Sequence, residues 1–181
     1  MDALLIIDLQ HAYLKDKTQY QIDPVIQRIN QVAAKMRLRG DRIIFIQHDG
    51  DGITTAAPHT EGWKIYSELM VKPEDVIVRK TLNDAFANTE LDALLKSMNI
   101  QQLVISGWAT DFCVDASVQS AINNGYDCVV LSDCHTLADR PHLSAPQVIE
   151  HHNWLWANAI TINSSIQVMS AAEYLPAYAQ P

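Results

Sequence analysis

The sequence predicts an α/β fold: a three-layer α/β/α domain around a central, six-stranded, mainly parallel sheet of Rossmann-like type. Three observations carry this expectation. Short apolar runs such as Ala3-Leu-Leu-Ile-Ile7 and Leu103-Val-Ile-Ser106 have the look of strands buried on both faces. Amphipathic stretches long enough for helices separate them. Polar residues then close several of the runs, as expected where parallel strands end along one ligand-binding edge.

Strand one covers about 3–8. The first helix covers 24–39, with Asp23 as N-cap, Pro24 at the first helical position and Gly40 as stop. Its apolar residues Val25, Ile29, Val32, Ala33 and Met36 recur at helical spacing. Strand two is 42–47. A polar loop with Gly and Pro follows, and its stretch 49–62 is long enough for a lid or binding loop. A short helix at 63–69 and strand three at 75–79 come next. Helix 90–98 has Thr89 as its cap. Strand four is 102–106, and helix 112–123 stops at Asn124-Gly125. Strand five is 127–132. Helix 145–158, strand six at 159–163 and a last helix at 164–174 complete the pattern. No repeat, low-complexity tract or linker interrupts it, so residues 1–181 are expected to form one domain.

Composition narrows the function. The chain has 181 residues, 48% of them hydrophobic, enough for one well-buried core. A formal net charge of −8 argues against nucleic acid or an anionic membrane as partner. No apolar stretch approaches the roughly 20 residues that span a bilayer. The amino-terminal Met1-Asp-Ala-Leu-Leu-Ile-Ile-Asp8 has no basic region and meets a charge early, so it reads as a strand rather than a signal peptide. Three cysteines, an odd number without metal-ligand spacing, fit free thiols in a reducing cytoplasm. Cys128 and Cys134 are expected to pack in or beside strand five.

The chemistry concentrates in three places. In Leu103-Val-Ile-Ser-Gly-Trp-Ala-Thr-Asp-Phe-Cys113-Val, an apolar run is broken by Gly107 and a small-residue turn delivers Cys113 to the start of a helix. A helix N-terminus favours the thiolate, which is the nucleophilic form. Asp8 ends strand one and Lys80 follows strand three. If the strand order brings them together, the carboxylate accepts the thiol proton and the ammonium polarises the site. The backbone N–H groups of Ala109 and Cys113 are candidates for an oxyanion hole. Taken singly, each residue also has a plain structural role: inert buried thiol, turn-capping acid, surface cation.

Asp8 in Ile-Ile-Asp-Leu-Gln10, Lys80 in Arg-Lys-Thr-Leu-Asn-Asp-Ala-Phe86-Ala-Asn-Thr89-Glu-Leu91, and Gly107-Trp-Ala-Thr-Asp-Phe-Cys113-Val resemble the three signature blocks of the isochorismatase-like cysteine hydrolases. The resemblance runs from strand one through Leu131-Ser-Asp133. It implies an Asp8–Lys80–Cys113 catalytic triad and a cis peptide between Trp108 and Ala109. It also implies a homodimer or higher homo-oligomer. The expected reaction is hydrolysis of a C–N amide bond in a small molecule through a thioester on Cys113.

Tyr13 and Phe86 resemble family positions that wall the pocket, and Trp108 flanks the nucleophile turn. Gln10, His48 and Trp63 are the other candidates for contact with substrate. An aromatic, apolar pocket suits a small planar or cyclic amide. No cofactor is expected. No metal is expected either: nicotinamidases of this family carry Asp-x-His after strand two, whereas this chain has Gln47-His48-Asp49-Gly50. His151 and His152 are adjacent on a helix and point apart.

Two other readings remain. One is an isochorismatase-type hydrolase cleaving a vinyl ether, which needs no thiol. The other is a receiver-like signalling module, which uses an Asp and a Lys at strand ends but needs further acids near Asp8. A dehalogenase-type phosphatase needs an acid where Gln10 stands, and a dinucleotide fold needs glycines after strand one.

Overall fold

The computed structural model describes residues 1–52 and 55–177. Six strands form one sheet: β1 (Asp2–Ile7), β2 (Arg42–His48), β3 (Val76–Lys80), β4 (Gln102–Trp108), β5 (Asp127–Thr136) and β6 (Ile166–Met169). Their order is β3-β2-β1-β4-β5-β6, and every pairing is parallel. The helices are α1 (His11–Leu14), α2 (Ile22–Arg39), α3 (Leu91–Ser97), α4 (Asp115–Asn123), α5 (Ala145–Ala157) and α6 (Ala171–Ala177). A π-helical turn, Thr110–Val114, leads into α4.

Strand alternation builds two cores. Leu4 and Ile6 of β1 pack with Val25, Ile29, Val32 and Met36 of α2 and with Tyr174 of α6. Ala3, Leu5 and Ile7 face Leu91 and Leu95 of α3, Val118 of α4 and Trp156 of α5. The sheet is therefore buried on both sides, as its unbroken apolar strands require.

Four local expectations are corrected. Helix α2 begins at Ile22, with Gln21 in the left-handed region (φ 49°) as its N-cap. Asp23 lies in the first turn and pairs with Lys17 at 2.7 Å. At 63–69 there is no helix, because the backbone there bonds to the chain after β1. His11 N–H donates to Lys64 O (3.0 Å), Tyr66 N–H donates to Leu9 O (2.9 Å), and Gln10 bridges Ile65.

Strand six is Ile166–Met169, not 159–163. Ile160 and Ile162 have a strand-like alternation but stand 93% and 92% exposed. The chain joins the sheet at Ser165, whose N–H and Oγ bond Asp127 Oδ1 (2.7 and 2.8 Å) and whose carbonyl accepts from Cys128 N–H (2.8 Å). The last helix is displaced accordingly, to Ala171–Ala177.

Of the loop 49–62, residues 53 and 54 lie outside the described residues. The rest folds on itself, Gly50 N–H donating to Ala56 O (3.0 Å). Among the described residues no helix is long and apolar enough to cross a membrane.

Candidate active site

Asp8, Lys80 and Cys113 meet at the carboxyl edge of the sheet, each by a different local device. Alternation alone would carry Asp8 to the α2 face with Leu4 and Ile6. Instead its backbone turns left-handed (φ 51°), and its N–H donates to Ile46 O at 2.9 Å. Aspartate is among the residues that tolerate this region. Lys80 comes from β3 at the edge of the sheet, with β2 between it and β1. Its side chain therefore crosses β2, in register with His48, to reach Asp8. The condition that the strand order bring the three residues together is met in this way: β1 adjoins β4 directly, and the Lys80 stem and the Asp8 side chain together close the two strand spacings, about 10 Å, between β3 and β1.

Cys113 rides the π-helical turn, closed by Val114 N–H donating to Ala109 O (3.1 Å). Widened turns of this kind are frequent at functional sites. Gly107 makes the turn's position possible. It has φ 134°, and a Cβ there would lie 2.3 Å from Ile7 O. Only glycine lets β4 run this close to β1. The Trp108–Ala109 peptide is cis.

The cluster is compact. Lys80 Nζ lies 2.6 Å from Asp8 Oδ2, both side chains being almost wholly buried. The same ammonium is 3.4 Å from Cys113 Sγ and 3.5 Å from His48 Nδ1, and it donates to Leu82 O at 2.9 Å. Asn83 Oδ1 lies 3.7 Å from Sγ. The turn carrying Asn83 is fixed to α4: Asp84 accepts from Ser120 Oγ (2.6 Å), and Ser117 Oγ accepts from Ala85 N–H (3.1 Å) while donating to Cys113 O (2.6 Å).

Burial raises the Asp8 pKa, opposed first by Lys80 and then by a hydrogen bond with Cys113. Burial also pushes the Cys113 thiol up to about 12, helped by the Asp8 charge and opposed by Lys80. The buried sulfur thus favours its thiol form beside a carboxylate of raised basicity. His48 is lowered by burial and by Lys80, which keeps its ring neutral.

The other candidate residues divide. Tyr13 stacks on Trp108 (ring centroids 4.4 Å apart, planes at 11°) and is near enough to Asp8 for that carboxylate to help burial raise its phenol pKa, so it stands beside the cluster. His48 touches Lys80. Phe86 packs toward Tyr126, centroids 5.9 Å apart. Gln10 and Trp63 are engaged by their neighbours. Gln10 is buried, its amide donating to His48 O (3.0 Å) and Trp63 O (2.8 Å) and accepting from His48 N–H (2.8 Å). Trp63 Nε1 donates to Asp49 Oδ1 (2.8 Å), and the Arg79 guanidinium covers its ring.

Asn83 and His135 were not anticipated. Asn83 stood within the Lys80 block, three residues on, and could have been read from it. His135 lies beyond the expected end of strand five. Cys128 and Cys134 lie buried in β5 as free thiols. Among the described residues no group of three or more His, Cys, Asp or Glu is placed to hold a metal.

A thiol, a carboxylate and an ammonium buried together at the carboxyl edge of a parallel sheet make a site for nucleophilic chemistry in an α/β domain. A family model described as the isochorismatase domain matches residues 2–164. A streptothricin hydrolase of Streptomyces noursei is 28% identical over 187 residues, covering all of this chain and 66% of that protein. The chain therefore spans just under two thirds of that relative's length. A ureidoacrylate amidohydrolase of Methylorubrum extorquens is 26% identical over 178 residues, 78% of this chain and 72% of that protein. The crystal structure of an isochorismatase family protein superposes with a TM-score of 0.83 at 32% identity, covering 92% of this chain and 97% of that one. The chain belongs to the isochorismatase family of hydrolases.

Proposed function

We propose that this hydrolase cleaves a C–N amide bond of a small molecule through a thioester on Cys113. The observation that carries the reading is the single ammonium of Lys80 lying 2.6 Å from Asp8 and 3.4 Å from Cys113 Sγ. As substrate docks, the thiol proton passes to Asp8 and sulfur attacks the carbonyl carbon. The N–H groups of Ala109 and Cys113 receive the oxyanion. The tetrahedral intermediate expels nitrogen, which takes the proton from Asp8, and an acyl thioester remains. Water then gives a proton to Asp8 and attacks the thioester. Collapse breaks the C–S bond and returns the proton to sulfur. The Lys80 amine, 2.6 Å from Asp8, opposes the rise that burial imposes on the carboxyl and so favours its basic form.

Tyr13 and Trp108 offer a stacked aromatic wall for a small planar or cyclic amide. Two arginines near these segments in sequence are paired with acids: Arg79 with Asp49 at 2.7 Å and Arg140 with Asp111 at 2.6 Å. A substrate bearing carboxylates, as a vinyl-ether substrate of the isochorismatase type would, gains little from them, which supports the amide.

The test is intact-protein mass after mixing with a panel of cyclic and aromatic amides, wild type beside Cys113→Ala. An acyl adduct on wild type alone is expected. Turnover that survives Cys113→Ala overturns the thiol mechanism.

A further inference from the structure

Beneath the π-helical turn a polar string runs from the part-buried Ser132 and Asn153 to the buried His135 and Thr110. Asn153 Nδ2 donates to Ser132 O at 3.0 Å, and Asn153 Oδ1 lies 3.0 Å from His135 Nε2. His135 Nδ1 lies 2.9 Å from Thr110 Oγ1. The direction of every proton follows from the first link. A backbone carbonyl only accepts, so Asn153 turns its NH₂ to Ser132 and its oxygen to His135. His135 therefore carries its proton on Nε2 and presents a bare Nδ1, and Thr110 must donate to it.

Thr110 opens the turn. It follows Ala109, and Cys113 sits three residues on. His135 is fully enclosed, with the edge of Trp156 against its ring (centroids 5.1 Å apart, planes at 78°). Trp156 itself donates from Nε1 to Asp115 Oδ1 (2.8 Å) at the start of α4. Apolar residues of equal volume could fill this space without needing partners. A hydrogen-bonded polar string holds one geometry instead.

We propose that His135 is a positioning residue: held by Asn153, its imidazole fixes Thr110 and through it the attitude of the Ala109 and Cys113 N–H groups toward the substrate carbonyl. The proposal rests on the cysteine-hydrolase reading for the identity of the nucleophile.

The probe is p-nitrophenyl acetate with the whole chain, reading the acylation burst of nitrophenolate. His135→Gln keeps a donor toward Asn153 but loses the acceptor for Thr110. His135→Asn keeps the acceptor. His135→Gln and Thr110→Val are expected to slow the burst roughly tenfold at unchanged half-saturation, the scale of one well-placed hydrogen bond. The double variant should be no slower than the slower single, and His135→Asn should stay within about twofold of wild type. Additive losses in the double variant, or His135→Asn falling with His135→Gln, overturn the proposal. A burst lost in Cys113→Ala but equal in wild type and His135→Gln sinks the positioning role alone. A burst that survives Cys113→Ala sinks the cysteine reading, and the proposal with it. Fold loss in a variant is bypassed by the wild-type imidazole ¹⁵N spectrum at neutral pH. Protonated Nε2 with bare Nδ1 is expected, and the other tautomer overturns the string.

Discussion

Inside the protein, the Lys80 side chain is surrounded by several acceptors. Asp8 balances it, Leu82 O accepts from it, and Cys113 Sγ and His48 Nδ1 lie within reach. Breaking such a pair by removing one partner costs about 3–5 kcal/mol, because the other charge stays buried. Lys80→Met is expected to lose that much. The loss should also depend on pH in a defined sense. Burial already raises Asp8, and without the ammonium it rises further. A carboxyl whose folded-state pKa exceeds its unfolded one holds its proton better when folded. Its stability contribution is present at low pH and lost as pH rises through the folded value. The deficit of Lys80→Met should therefore shrink as pH falls in thermal melts; a deficit constant with pH contradicts the account. At this scale much was legible. Asp8, Lys80 and Cys113 each end or follow an apolar run, so their place at the strand edge could be read from the chain. Their protonation could not, because desolvation depends on what surrounds them. Gln10 and Trp63 had the right residue types beside the site, yet backbone groups and neighbouring charges occupy them.

Gly107 is where β4 earns its close approach to β1. A Cβ there would strike Ile7 O at 2.3 Å, and the backbone sits at φ 134°. Gly107→Ala is expected to cost about 3 kcal/mol or more, combining overpacking with strained backbone. Urea unfolding measures it; a loss below about 1 kcal/mol would mean that the strands can part without penalty. Helix α2 shows how far local pattern carries: Val25, Ile29, Val32, Ala33 and Met36 are buried as their spacing predicts. Gly40 closes the helix at φ 84°. The segments 63–69 and 159–163 show where it stops. Both have acceptable local patterns, but a backbone partner elsewhere outbids the pattern. Leu9–Ala12 takes up the first, and pairing that begins at Ser165 displaces the second from the sheet.

Across the whole molecule, the strand order β3-β2-β1-β4-β5-β6 reverses direction between β1 and β4. Ligand crevices of parallel sheets open where the order reverses, and Asp8 and the turn after β4 flank that point. The acids and histidines of the chain are not gathered into a metal-holding group among the described residues. Turnover of any amide found to be a substrate should be unchanged by EDTA; a loss restored by added divalent metal would show that a cation takes part.

Fold class and the strand-edge location of Asp8, Lys80 and Cys113 were readable from residue order, because burial period and turn residues are local properties; the family was readable through the resemblance of three motif blocks. Three things needed the folded chain: the reach of Lys80 across β2, the raised thiol beside a raised carboxyl, and the string from Ser132 through Asn153 and His135 to Thr110. Each depends on strands and helices distant in sequence being packed together, and on the exclusion of water that this packing brings.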